Sequence, residues 1–226
     1  EANEEGEVYQ SLLEKTGGTI KIKSKRKDNK NLLDDAEKMG YSLAFNRSDL
    51  SKVNNGKLLG LFAYSGMQDG IEYSHTKNDP KRVMPGLKEM TEKALDILSQ
   101  DEDGFFLMIE GSQIDWGGHA NDKDYIITEM VDFDRTIKEV LDFAEEDGNT
   151  LVIITADHET GGFAVEGGSL NERDVIGDFT TGGHTAAMIP VFAFGPGAEA
   201  FGGMYDNTEI FHKMVSAYGW EIEEKD

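Results

Sequence analysis

The residues best equipped for chemistry in this sequence are three histidines, each with glycine nearby, and the carboxylates that accompany them. His119 follows Gly117-Gly118 and lies four residues after Asp115. His158 directly follows Asp157 and precedes Gly161-Gly162, and His184 follows Gly182-Gly183. Imidazole nitrogen with carboxylate oxygen is the donor mix that suits zinc, whereas Glu and Asp oxygens suit magnesium. A tight turn through Gly117 and Gly118 would bring Asp115 and His119 to one ion. Asp157 and His158 face an obstacle, since neighbouring side chains on a strand point to opposite faces. Both reach one ion only where the chain has left strand conformation, which Glu159-Thr160-Gly161-Gly162 permits. His75 and His212 have no such setting and read as ordinary surface or helix residues.

What places these groups together is their position relative to apolar runs. Gly104–Ile109, Thr150–Thr155 and Ile189–Phe194 are continuous apolar stretches of strand length, a pattern that suits strands covered on both faces. Glu110, Asp115 and His119 come after the first, Asp157 and His158 after the second, and His184 before the third. In open α/β sheets ligands bind where loops leave the strand ends. Around these runs the sequence predicts strands at Tyr41–Phe45 and Lys57–Ala63. Helices are predicted at Leu32–Met39, closed by Gly40, from Pro85 to about Ser99, and at Thr208–Tyr218, ending at Gly219. A longer helix starts at a cap formed by Asn121 or Asp122 and carries Ile126, Ile127, Met130, Val131, Ile137 and Leu141 at helical spacing. The glycine-rich stretches 161–168 and 177–183 read as loops. No linker interrupts the pattern, so the expected fold is one α/β domain over residues 1–226, three-layer αβα with a mostly parallel sheet.

Composition narrows the function. With 22 basic and 44 acidic residues the formal charge is −22, which disfavours binding to nucleic acid or to an acidic membrane surface. The deficit is localised: residues 1–100 hold 16 of each sign, whereas residues 101–226 hold 6 basic and 28 acidic side chains. The absence of cysteine excludes disulfides, Cys-ligated zinc, iron–sulfur clusters and a thiol nucleophile. The basic stretch Lys21–Lys27 lacks interleaved aromatics and reads as a solvated loop. No apolar run approaches the ~18 residues of a spanning helix, and Glu1-Ala2-Asn3-Glu4-Glu5 lacks the features of a signal peptide.

Three segments together are more specific than any one residue. They are Glu110-Gly-Ser-Gln-Ile-Asp-Trp-Gly-Gly-His-Ala-Asn121, Thr155-Ala-Asp-His-Glu-Thr-Gly-Gly162 and Thr181-Gly-Gly-His-Thr185. In content, order and separation they resemble the metal-binding motifs of alkaline phosphatases. The resemblance implies that Glu110 binds magnesium, that Asp115, His119 and His184 hold a first zinc, and that Asp157 and His158 hold a second. It further implies a phosphomonoester hydrolase acting on small phosphate esters through a phosphoserine intermediate, with export to the periplasm or outside the cell; a homodimer is compatible with it. Bound divalent cations would let this acidic region receive a phosphate dianion.

The sequence departs from that family in what it lacks. Family members carry a serine nucleophile directly after an aspartate, a further bridging aspartate and an arginine that clamps phosphate. No Asp-Ser dipeptide occurs here, and none of Arg26, Arg47, Arg82, Arg135 and Arg173 lies in a segment resembling the clamp. Trp116 stands where members vary. The chain therefore resembles the C-terminal part of an alkaline phosphatase, with no catalytic residue of its own and no activity alone. The alternatives are a superfamily phosphomutase, pyrophosphatase or sulfatase, and a non-catalytic metal-binding fragment.

Overall fold

The structure, a computed structural model, describes residue 14 and residues 26–28 and 30–221. Most of the basic stretch Lys21–Lys27 lies outside these residues; Arg26 and Lys27 are exposed. The chain separates into two compact units, residues 1–111 and 112–226.

In the first unit, helix α1 (Leu32–Lys38) starts where the Asn31 side chain accepts a hydrogen bond from Leu33 N at 3.1 Å. It stops at Gly40, whose φ of 84° turns the chain into strand β1 (Tyr41–Ala44). Strand β2 (Lys57–Gly60) pairs with β1 in parallel, from Tyr41 opposite Lys57 to Ala44 opposite Gly60. The crossover contains helix α2 (Arg47–Lys52), capped by Asn46; helix α3 (Gly70–Thr76), capped by Asp69, follows β2. Helix α4 (Leu87–Leu98) completes the unit. Its core is Ala44, Leu50 and Phe62, with Leu58, Met67, Met84 and Met90 packed against them.

One polar cluster, with Arg82 buried, Glu89 half-buried and Arg47 exposed, lies in the same unit. Glu89, in the first turn of α4, accepts from Gly86 N and Arg82 Nη2 through Oε2, each at 2.8 Å, and from Arg47 Nε through Oε1 at 2.6 Å. Burial alone would raise the Glu89 carboxyl. The Gly86 N–H and the Arg82 and Arg47 guanidiniums outweigh it and hold the carboxyl below the ordinary glutamate range.

The run 104–109 is not a covered strand. Among the described residues it belongs to none of the strands, and it is exposed at every second position, Phe106 at 62% and Met108 at 78%.

The second unit opens with two helices, α5 (Gln113–Ala120) and α6 (Lys123–Asp147). Asp122, not Asn121, caps α6, accepting from Asp124 N and Tyr125 N at 3.0 Å, while Asn121 closes α5 in the left-handed conformation at φ 51°. Three antiparallel pairs follow: β3 (Val152–Ile154) with β8 (Phe192–Phe194), β4 (Glu159–Thr160) with β7 (His184–Thr185), and β5 (Ala164–Ser169) with β6 (Asp174–Asp178). Helix α7 (Glu209–Ala217) ends before Gly219, as its sequence signals predict. Parallel pairing is thus confined to β1–β2 among the described residues.

Two glycine-rich stretches read as loops are in part the β5–β6 hairpin. The reason is visible at Gly168, where a Cβ would lie 2.4 Å from Asp174 O: the glycine permits close approach within a ladder rather than marking a turn. No helix among the described residues is long and apolar enough to cross a membrane.

Candidate metal centre

The site is assembled in the second unit from α5, from the chain between β3 and β4, and from β7. Asp115 and His119 are four apart on α5, so one helical face presents both. A helix, not a tight glycine turn, does this work. The glycines instead admit neighbours: a Cβ on Gly117 would lie 2.8 Å from Ile126 N on α6, and one on Gly118 would lie 2.6 Å from Thr160 O on β4. Gly161, at φ 91°, meets the same turn of α5: a Cβ there would lie 2.8 Å from Gly118 O. The first two motif segments are glycine-rich because their backbones touch.

The third segment is tied to both. Gly161 N donates to Gly183 O at 2.9 Å, and the β4–β7 ladder sets Thr160 opposite His184. Glu159 receives the Thr185 hydroxyl and, at 2.8 Å, Gly162 N. The Asn121 amide lies 2.8 Å from the carbonyls of Gly118 and Thr181, so its nitrogen must face them.

Donor atoms converge within this frame. His119 Nε2 lies 3.4 Å from Asp115 Oδ1 and 3.2 Å from His184 Nε2, and His184 Nε2 lies 3.7 Å from Asp115 Oδ1. His158 joins them: its ring stacks on that of His184 with centroids 3.6 Å apart, and Asp115, His158 and His184 offer ligand atoms within 4.8 Å of one another. Asp157 Oδ2 lies 3.2 Å from His158 Nε2. The chain has left strand conformation between β3 and β4, which removes the obstacle to two consecutive residues facing one point.

Two features test the fit to a metal ion. Around a tetrahedral zinc with bonds of 2.0–2.1 Å, ligand atoms stand about 3.3 Å apart, and the Asp115–His119–His184 triangle has edges of 3.2, 3.4 and 3.7 Å. The second feature is a tautomer. His119 Nδ1 lies 2.8 Å from Gly182 O, which can only accept, so the proton is on Nδ1 and Nε2 carries a bare lone pair. That lone pair faces His184 Nε2, and either a proton or a cation must lie between the two nitrogens. His119 and His184 are close to half exposed, which leaves one side of the cluster open to solvent.

Of the remaining candidates, Glu110 falls in the first unit and is exposed, and its assignment to magnesium rests on the resemblance alone. Trp116 is 45% exposed on α5. His75 on α3 and His212 on α7 are exposed. Thr160, Glu159 and Asn121 were not foreseen as parts of the site. No residue type or spacing marks them in the sequence, because each takes its part from the groups that folding sets beside it.

Carboxylate and imidazole donors gathered from three glycine-rich segments define an α/β protein with a candidate metal site. The alkaline phosphatase family model matches residues 12–178. Alkaline phosphatase 3 of Bacillus subtilis is 33% identical over 89% of this chain and 57% of its own length. The solved alkaline phosphatase of the Antarctic bacterium TAB5 shares 41% identity at a TM-score of 0.75, over 87% of this chain and 57% of that one. A variant of that enzyme with magnesium bound gives 39% and 0.72, over 88% and 58%. This chain belongs to the alkaline phosphatase family and has its α/β fold. It spans about half the length of the curated relatives it matches.

Proposed function

We propose that this chain is the metal-binding C-terminal part of an alkaline phosphatase, a phosphomonoesterase whose nucleophile and phosphate clamp lie outside these 226 residues. The observation that carries this reading is the convergence of Asp115, His119 and His184 from distant segments onto one point. These three would hold one zinc, Asp157 and His158 would contribute to a second, and Glu110 would serve magnesium. When bound, the ions supply Lewis-acid stabilisation of charge on the phosphoryl group. The protein's own part is to fix the donors: Gly182 O holds the His119 proton on Nδ1, and the Gly118–Thr160 backbone contact sets the distance between α5 and β4. Magnesium bound in a solved relative supports the use of divalent cations. The substrates are small phosphate monoesters, and export from the cytoplasm follows from the family. A phosphomutase, pyrophosphatase or sulfatase is the weaker reading, since the matched relatives are named alkaline phosphatases.

The test is zinc uptake measured beside turnover of an aryl phosphate, with zinc and magnesium supplied. The expected result is zinc binding with no turnover. Removal of the attacking group typically lowers kcat by roughly 10⁶-fold. Failure to bind zinc would refute the metal centre. Zinc-dependent turnover abolished by His184→Ala would show that a nucleophile lies within the chain.

A further inference from the structure

We propose that Thr160 is a positioning residue that couples the two metal subsites, holding Asp115 of one and His158 of the other through a single hydroxyl. The proposal rests on the metal-centre reading above. Thr160 is 7% exposed, opposite His184 in the β4–β7 ladder, and a buried hydroxyl needs partners. It has two: Asp115 Oδ1 at 2.5 Å and His158 Nδ1 at 3.2 Å.

A carboxylate only accepts, so the Thr160 proton points at Asp115 Oδ1. The hydroxyl oxygen offers an acceptor to His158 Nδ1, so that with a cation on Nε2, the nitrogen facing Asp157, the remaining ring proton has a partner and the ring is held in place. The same hydroxyl takes up one lone pair of Asp115 Oδ1 and orients the carboxylate toward His119 and His184. Ligand orientation at one subsite is thereby tied to ligand orientation at the other. A serine reproduces this; a valine of the same shape does not.

The experiment compares Thr160→Val and Thr160→Ser with the native chain in two measurements. The first is zinc affinity by competition with a chromophoric chelator. The second is solvent exchange of the His158 Nδ1–H proton in the zinc-loaded chain, from proton–nitrogen NMR, with circular dichroism verifying the fold. Loss of an outer hydrogen-bond partner typically lowers metal affinity by 10- to 100-fold. Thr160→Val is expected to show a loss of that size together with faster exchange of the His158 Nδ1–H proton, and Thr160→Ser to restore both. Unchanged affinity in a folded Thr160→Val variant overturns the proposal, as does a serine variant that fails as valine does, which would show that the hydroxyl does not carry the role. Should Thr160→Val not fold, Thr160→Ser with weakened affinity or faster exchange overturns it, and native affinity and exchange in that variant support it. If the native chain takes up no zinc, the metal-centre reading fails and the proposal with it, whereas zinc uptake unchanged by Thr160→Val overturns the proposal alone.

Discussion

At His119 the ring is held from behind by a peptide carbonyl, and at His158 by a hydroxyl, so in both the other ring nitrogen is the one left to face the cluster. His184 differs: its Nε2 is itself a corner of the donor triangle, 3.2 Å from His119 Nε2 and 3.7 Å from Asp115 Oδ1. Removing it takes away a donor rather than the support of one. His184→Ala is therefore expected to weaken zinc binding by more than ~100-fold, beyond the range typical of supporting residues, whereas His212→Ala on α7 should leave it unchanged. Chelator competition on both variants checks this. The donors could be read in the sequence because ligand chemistry selects residue type. Thr160 and Asn121 could not, since a hydroxyl or amide acquires its role only from what folding sets beside it.

Among the elements, α4 and α5 depend on contacts a helix does not supply for itself. Glu89 binds the N-cap N–H of α4 and both arginines, and its depressed carboxyl ties stability to pH. A group whose folded pKa is lowered contributes stability that is present above its unfolded value, near ~4.3, and is lost as pH falls through the folded one. Glu89→Gln should cost about 2–3 kcal/mol at neutral pH, as expected for hydrogen bonds to charged groups. The difference from the native chain should shrink on acidification below about pH 4.3, which urea unfolding across that range measures.

Gly118 poses a conflict of magnitudes. Alanine favours helix over glycine by roughly 1 kcal/mol, but its Cβ would meet the backbone oxygen of Thr160 at 2.6 Å. That oxygen belongs to an element fixed by a ladder and cannot yield cheaply. Gly118→Ala is expected to destabilise by about 1–3 kcal/mol in urea unfolding, the usual size of an overpacking penalty. The longer elements were legible because period and caps repeat over several turns, as in α6. The short helices α2 and α3, of 6 and 7 residues, are too brief to display a period, and only Asn46 and Asp69, their caps, announced them. The β5–β6 hairpin was hidden by glycines whose use is contact.

Over the whole molecule, apolar exposure opposes charge. Phe106, Met108, Phe192, Met188 and Leu170 are more than 60% exposed, a pattern that promotes association, while a net charge of −22 keeps copies apart. Raising ionic strength from 0.01 to 1 M shortens the screening length from about 30 to 3 Å, which weakens the repulsion and leaves apolar attraction. Sedimentation velocity should therefore show self-association of the isolated chain increasing with salt. A decrease would mean that contacts between copies are ionic. The residue pattern conveyed the charge balance but not which apolar side chains remain bare, because burial depends on which strands find partners.

The donors of the cluster are distant in sequence: His119 and His184 are 65 residues apart, and Thr160 and Asp115 are 45 apart. Closing such spans costs entropy before any contact repays it, so this is a late meeting, made after the helices and hairpin between have formed. An ion held there strengthens contacts absent from the folding barrier and present in the native state. Interactions of that kind slow unfolding and leave the refolding rate alone. Stopped-flow traces in zinc and in chelator should then share one refolding limb and differ in the unfolding limb, so that the ion governs how long the folded chain lasts rather than how quickly it arises.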